Sequence, residues 1–372
     1  MDSLKQKYAL SRKYAGFINI SPIQTGAILP EEAERATKEF IVGYAPYNLA
    51  QGIEIMDIPV VRDFIENDLP GFLNADRVRI TFGAREGIYI AMKTAAKPGS
   101  TVLVDENSHY TTFVAAEKAG LNVEIVKSSG YPEYAISTQD YEEAIRKHKP
   151  SAVLLTYPDG NYGNLPDPEP LAKLAHENSI PFILNCAYSM GRMPLDMKKL
   201  KPDFMVGSGH KSMASIGPIG IIAATEKWSE KMLKKSLHHK KSELEFMGSE
   251  IRGTPLISLM ASFPYVYERV KKWPSEVEKA RWFSRKMDML GLVQLGEKPH
   301  NHDLMKFRTD PFYEISKLHH KKRAFLYEHL KSRGITGIQH GKTKAIKLST
   351  YGISKDSLKK VLSAFEDIVD TY

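Results

Sequence analysis

The sequence predicts an α/β protein: a large domain built on a mostly parallel sheet with helices on both faces, then a smaller α+β domain. The boundary is expected between residues 245 and 246, so that the large domain with its N-terminal arm takes residues 1–245 and the small one 246–372. Three observations carry this. Between residues 78 and 224 short apolar runs alternate with helical periodicities, the pattern of strands buried on both faces and joined by helical crossovers. From about residue 250 helical patterns dominate. Small and polar residues bunch directly after the strands, where open α/β sheets hold their ligands.

Along the chain, residues 1–16 are polar with a few aromatics and are expected to form a helix. Phe17 to Ile20 is a short apolar run, broken by Ser21 to Gly26. Leu29-Pro30-Glu31-Glu32-Ala33 opens a helix with proline and acids in its first turn, where the missing N–H and the helix dipole favour them. Gly43 to Gly52 is an irregular loop, and Pro59 to Leu69 an amphipathic helix stopped by Pro70-Gly71. Strands follow at Val78 to Phe82, Thr101 to Asp105, Val123 to Val126, Ala152 to Tyr157, Pro181 to Leu184, Phe204 to Val206 and Ile219 to Ala224. Between them lie helices at Ile88 to Ala96, Tyr110 to Ala119, Tyr141 to Lys147 and Pro168 to Asn178. Beyond residue 250 the spacing predicts helices at Pro255 to Lys272, Ser275 to Leu290, Leu318 to Ser332 and Lys355 to Tyr372, with short strands at Leu304 to Phe307 and Ala345 to Ser349.

A chain of 372 residues can bury two cores, and 42% hydrophobic with 26% charged residues places it among globular proteins. No window reaches the roughly 18 apolar residues of a membrane span, so no membrane partner is expected. The start, Met1-Asp2-Ser3-Leu4-Lys5, lacks the apolar stretch of a secretory signal, which points to the cytoplasm. A single cysteine, Cys186, excludes an intrachain disulfide, a multi-cysteine zinc site and a cysteine-ligated cluster, and no metal is assigned. The balance of 52 Lys and Arg against 44 Asp and Glu, +8, favours acidic partners, nucleic acid among them. The densest basic run, Lys231 to Lys241, has no interleaved aromatic ring and reads as a solvated helix face, not a stacking platform.

The residues after the strands are the candidate site. Gly83-Ala84-Arg85, between a strand and a helix N-terminus, forms an anion cradle of backbone N–H groups. His109 can stack on a flat cofactor, and Asn161 and Asn185 can reach ring substituents. Lys211 sits in Ser208-Gly209-His210-Lys211-Ser212 among small residues, where desolvation lowers an amine's pKa and lets it attack a carbonyl. Ser208 and His210 add phosphate contacts. A phosphate cradle, a stacking ring and a Schiff-base lysine together describe a pyridoxal 5′-phosphate site.

The stretches Phe17 to Gly26, Gly83 to Gly87, Thr156 to Pro166, Asn185 to Pro194, Gly207 to Ala214, Leu259 to Tyr265, Pro299 to Met305 and Leu348 to Ile353 resemble the fold type I pyridoxal phosphate enzymes of the aminotransferase class V kind. More narrowly they resemble the archaeal O-phosphoseryl-tRNA:cysteinyl-tRNA synthase family. The resemblance implies that Lys211 carries the cofactor in Schiff-base linkage. Ala84, Arg85, Ser208 and His210 would hold its phosphate, His109 would stack on its ring and serve catalysis, and Asn185 would face the ring nitrogen. It implies β-replacement on phosphoserine esterified to tRNA(Cys): Lys211 carries the α-proton, phosphate leaves, and a sulfur nucleophile adds. It places Lys347 where relatives acting on free amino acids keep a carboxylate-binding arginine. It further implies a homodimer, a complex with phosphoseryl-tRNA synthetase, and sulfur from a donor protein or free sulfide.

One departure from the family's pattern bears on the sulfur. Three cysteines that relay sulfur in the family are replaced here by Tyr47, Ala50 and Ser249, and Cys186 matches none of them. Two other readings follow: a paralogous enzyme with the same cofactor performing β-elimination, β-replacement or desulfurase-like chemistry on a small amino acid, or a non-catalytic tRNA-binding subunit.

Overall fold

A computed structural model describes residues 6–9, 14–23, 26–41, 58–248 and 253–371. Most of the expected N-terminal helix, the loop from Gly43 to Gly52, and positions Tyr47, Ala50 and Ser249 lie outside the described residues. Twelve strands are described: β1 (Ile18–Asn19), β2 (Arg77–Thr81), β3 (Thr101–Asp105), β4 (Asn122–Val126), β5 (Ala152–Thr156), β6 (Phe182–Asn185), β7 (Phe204–Ser208), β8 (Gly220–Ala224), β9 (Val293–Leu295), β10 (Leu304–Arg308), β11 (Ile335–Thr336) and β12 (Ala345–Ser349).

Seven of them form one sheet in the order β2-β8-β7-β6-β5-β3-β4. Every pairing from β7 to β4 is parallel, and β8 runs antiparallel to both neighbours. Strands β5 to β8 are buried at every position, as a sheet covered on both faces demands. The antiparallel β8 decides where the site forms. Gly220 opens it and stands opposite Thr81 at the end of β2 on one side and Ser208 at the end of β7 on the other. The β2 turn and the β7–β8 loop therefore meet at one edge of the sheet.

The small sheet, β12-β10-β9, is antiparallel. Its core gathers Met305 and Phe307 from β10 and Phe283, Met287, Phe312, Phe365 and Ile368 from the helices Trp273–Met289, Asp310–Leu318 and Lys355–Thr371. Ile20 joins this core, and β1 pairs in parallel with β11, so the N-terminal segment is stitched to the C-terminal sheet region. Helix Thr254–Val270 turns Leu256, Leu259 and Val266 toward the core beneath the large sheet and packs on helix Glu31–Ile41.

Several expected boundaries shift. The helix after β2 begins at Ala84, not Ile88, because Gly83, at a left-handed φ of 122°, ends the strand and serves as its N-cap. The run from Ile58 passes through Pro70-Gly71: a π segment, Phe64–Asp68, hands over to a new α segment, Leu69–Leu73, whose first turn absorbs the proline. Asn74, left-handed, ends it. The helix expected from Leu318 to Ser332 is α-helical only over Phe325–Ser332, after a 3₁₀ turn at Lys322–Ala324, and Leu318 instead ends a separate, unexpected helix, Asp310–Leu318, capped at His319. The basic run from Lys231 is helical only through Met232; the rest is exposed turn, tied back by a bridge between Lys235 and Glu243.

Candidate active site

The pocket at the convergence of β2, β7 and β8 has a volume of about 500 Å³. Its wall includes Ala84, Arg85, His109, Asn185, Ser208, His210 and Lys211. Seven of the eight residues expected at the site thus face one cavity. The eighth, Asn161, lines a second cavity alongside, and its side-chain amide donates to Asn107 O at 3.3 Å.

The cradle is made by close approach. A Cβ at Gly220 would lie 2.4 Å from the Gly83 carbonyl carbon and 2.7 Å from Ala84 N. A Cβ at Gly87 would lie 2.7 Å from Val206 Cγ1. Glycine at both places lets helix Ala84–Ala95 sit directly on the strands and aim its N-terminus into the pocket. Gly83 offers no capping side chain, so the first-turn N–H groups remain as donors for an anion.

Lys211 lies in the β7–β8 loop. Among the described residues no carboxylate or carbonyl receives its ammonium; Nζ sits 4.0 Å from the centre of the Tyr188 ring. Burial, with the positive charges of Arg192, Lys347 and Arg85, lowers its pKa to about 8. Both effects disfavour the charged amine, so the lysine is poised as a nucleophile and proton carrier.

The two histidines are oriented by the backbone. His109 caps helix Tyr110–Lys118: Nδ1 accepts from Thr111 N–H at 3.3 Å, which leaves the proton of the neutral ring on Nε2. Desolvation and the cations Lys211, Lys347 and Arg85 hold its pKa below the usual value. The loop that carries it is fixed by Asp105, fully buried, whose Oδ2 accepts from Thr156 N, Thr156 Oγ1 and Ser108 Oγ, each at 2.8 Å. His210 Nδ1 donates to Ile219 O at 3.3 Å and lies 3.3 Å from Ser208 Oγ, and its pKa is lowered, mainly by burial.

Asn185, at the end of β6, uses Oδ1 to accept from Ala187 N–H at 3.2 Å. Its NH2 group has no acceptor among the described residues, so Asn185 offers the pocket a donor. Cys186 beside it is buried, and its thiol is pushed up to about 12, which keeps it from acting as a thiolate.

Sequence reasoning missed Arg192. It is fully buried, with Nε donating to Ser212 Oγ at 2.9 Å, Nη1 to Asp303 Oδ2 at 2.8 Å and Nη2 to Pro22 O at 3.2 Å. One guanidinium thus ties the residue after Lys211, the residue before β10 and the N-terminal segment. A Cβ at Gly26 would lie 2.9 Å from both Arg192 Nη2 and Ser212 Oγ. Nothing in local patterning marks such a residue, since its partners are 111 and 170 positions away.

This architecture is that of the fold type I transferases. A cysteine desulfurase from Thermococcus onnurineus matches with a TM-score of 0.77 over 96% of both chains at 19% identity, and the cysteine desulfurase CsdA of Escherichia coli with 0.74 over 100% of this chain and 98% of the other at 16%. The family model described as O-phosphoseryl-tRNA(Sec) selenium transferase, SepSecS, matches residues 88–370, and the chain belongs to that family. Within it, the chain is 45% identical to the O-phospho-L-seryl-tRNA:Cys-tRNA synthase of Methanosarcina mazei over 379 residues, covering 100% of this chain and 98% of the relative. It is 45% identical to the synthase of that name from Methanocaldococcus jannaschii over 362 residues, covering 95% and 96%. The solved SepCysS–SepCysE N-terminal domain complex contains a chain with a TM-score of 0.91, 44% identity and 99% coverage of both.

Proposed function

We propose that the protein converts O-phosphoseryl-tRNA(Cys) to cysteinyl-tRNA(Cys), replacing the phosphate on Cβ with sulfur, with pyridoxal 5′-phosphate as cofactor. The observation that carries the chemistry is Lys211: an ammonium without an acidic partner among the described residues, its pKa lowered to about 8, in a pocket that also holds a free helix N-terminus. The pocket suits the cofactor. The first-turn N–H groups at Ala84 and Arg85, with the Arg85 guanidinium, Ser208 Oγ and His210, would hold its phosphate. The exposed ring of His109 would stack on the pyridine. The donor NH2 of Asn185 suits an unprotonated ring nitrogen, whereas a carboxylate there would demand a protonated one. When bound, the cofactor supplies a carbonyl that condenses with amines and a conjugated ring that takes up charge from the substrate Cα.

The chain's own residues do the rest. Lys211 Nζ takes the Cα proton, the transfer that precedes loss of phosphate from Cβ. Arg192 holds Ser212, and with it the loop carrying Lys211. Lys347 Nζ donates to Gly160 O at 2.8 Å and stands as a single point charge where a bidentate guanidinium would bind a free carboxylate. A substrate whose carboxylate is esterified needs no such clamp. Family membership at 45% identity over the whole length supports the substrate class.

The same reading includes a cytoplasmic homodimer that works with a phosphoseryl-tRNA synthetase and with a partner of the SepCysE kind. Sulfur comes from a donor protein or free sulfide, because Tyr47, Ala50 and Ser249 stand where the family keeps cysteines. The decisive experiment supplies phosphoseryl-tRNA(Cys), cofactor and sulfide and scores cysteinyl-tRNA. Formation is expected; its absence, with turnover of a free amino acid instead, overturns the reading.

A further inference from the structure

Lys211 Nζ lies 4.0 Å from the centre of the Tyr188 ring. That is the shortest lysine-to-ring distance among the described residues; the next, Lys231 to Trp228 at 4.4 Å, involves an exposed lysine. Tyr188 is buried and stands in the walls of both cavities. Two contacts hold it. Ser189, its fully buried neighbour, donates from Oγ to Tyr157 O at 2.6 Å, which pins the loop after β6. Gly160 lies against the Cδ2–Cε2 edge of the ring, where a Cβ would come within 3.1 Å of Cε2. The Tyr188 hydroxyl makes no hydrogen bond among the described residues, so the ring is placed by packing and by its loop.

The surroundings of the amine give this contact its weight. The charged groups that face Lys211 are Arg85 on the helix Ala84–Ala95, Arg192 on the loop after β6 and Lys347 on β12. All three are positive. The titratable rings are His109, ahead of the helix Tyr110–Lys118, and His210, beside the lysine; both are held below the usual histidine range by burial and are neutral at neutral pH. An ammonium in such a place is disfavoured by desolvation and by repulsion. Yet a lysine that takes the Cα proton must become one, and it then needs a partner. The negative face of an aromatic ring attracts an ammonium, most strongly where water is excluded. Among the described residues, the Tyr188 ring is the one group in contact with Nζ that favours its charged form.

We infer that Tyr188 is a positioning residue that acts through its ring face: it holds the Lys211 amine in the pocket and stabilises the ammonium formed once that amine has taken the Cα proton. The inference rests on the proton-carrying role proposed above for Lys211. It gives the ring two opposed effects on one nitrogen. Its bulk keeps water out, which favours the neutral amine that reacts. Its π face favours the charged amine that has reacted. The balance leaves a lysine that can both give up and accept a proton near neutral pH. The phenolic hydroxyl plays no part, so phenylalanine serves as well.

The test keeps the bulk of the ring and weakens only its face. Position 188 is filled with phenylalanine and then with phenylalanines carrying one, two and three ring fluorines, which draw charge off the π face with little change in size. Lys211 of the full-length apoprotein is labelled with acetic anhydride from roughly pH 6 to pH 10, a span that brackets a lowered lysine, and the extent at that residue is read by mass spectrometry. Tyr188→Phe is expected to reach half-labelling at the wild-type pH. Along the fluorine series the midpoint is expected to fall stepwise, by about one pH unit at three fluorines. In the loaded enzyme the same series is expected to lower kcat about tenfold and to leave KM for phosphoseryl-tRNA(Cys) unchanged. Melting temperatures within about 2 °C of the wild type report an intact fold. A labelling midpoint that stays level or rises along the series overturns the inference, because the ring then acts only by excluding water. A kcat that stays level while the midpoint falls also overturns it, because the tuned amine is then not the proton carrier. The enzymatic reading fails separately, by absence of cysteinyl-tRNA in the wild-type reaction, and the labelling series, which needs neither cofactor nor substrate, still decides the effect of the ring on the amine.

Discussion

The pocket around Lys211 is walled by the ends of strands in a seven-stranded sheet, and its shape depends on glycines at 87 and 220 that let backbone meet backbone. The cavity beside it is walled largely by two strands of a three-stranded sheet and a turn, and its character depends on long cationic side chains, of which only Arg308 has a carboxylate partner among the described residues. Tyr188 stands in both walls. In the first region position does the work, and a displaced atom abolishes the chemistry. In the second, positive charge is spread over several residues, and no single side chain defines the wall. A substrate with a small reacting end and a long polyanionic body calls for both kinds of surface side by side.

Substitutions can break that contrast, and the largest effect belongs to the first region. Lys211→Ala removes the amine proposed above to hold the cofactor and move the proton. Turnover should fall by about 10⁴-fold or more, and the absorbance near ~420 nm that pyridoxal phosphate gives with the wild type should be absent. Arg192→Leu leaves Asp303 buried without its guanidinium. The expected loss is about 3–5 kcal/mol, seen as a melting temperature lower by roughly 5–10 °C, and Arg192→Met combined with Asp303→Leu should recover most of it. Gly220→Ala pushes a methyl into the Gly83–Ala84 turn. Cofactor affinity measured by titration should drop about tenfold or more while far-ultraviolet circular dichroism stays that of the wild type.

The pH dependence sharpens the same side. In the proposed reaction the unprotonated amine of Lys211 is the reacting form, and its pKa is lowered to about 8. The rate at which apoprotein takes up pyridoxal phosphate should therefore climb about tenfold per unit below that pH and level off above it; a flat profile from pH 6 to 9 would show that another group limits the step. The smallest effect belongs to the second region. Lys306→Met removes one member of the like-charge pair with Lys347 and should stabilise the fold by a few tenths of a kcal/mol, read by denaturant midpoint. A variant that loses stability instead would show that the pair is not opposed in solution.

Much of this was legible before any coordinates. Strands β3 and β12 lie where alternation and turn residues put them, and the polar residues after the strands do gather in one place, because β8 returns between β2 and β7. The motifs around Lys211 and Gly83 also pointed to the right family. What stayed hidden depends on long-range geometry. Arg192 reads as an ordinary basic residue until Asp303, Pro22 and Ser212 close around it. Asn161 shares its strand-end context with Asn185, yet its loop bends toward Asn107 and the neighbouring cavity. The break at His319 escaped because no glycine or proline marks it, and only the C-cap at His319 and the 3₁₀ turn Lys322–Ala324 separate the two helices.

The pairing of β1 with β11 sets the order in which the chain can be completed. Ile18 and Asn19 emerge early in synthesis, but their strand partners, Ile335 and Thr336, are made more than 300 residues later. Pro22, whose carbonyl receives Arg192, and Ile23, which stands in both cavity walls, follow immediately after that strand. The large sheet can therefore assemble as it leaves the ribosome, while both cavities wait for nearly the whole polypeptide. A product truncated before Ile335 lacks the strand that holds Ile18 and Asn19, and with it the anchor for the Pro22–Ile23 part of both walls.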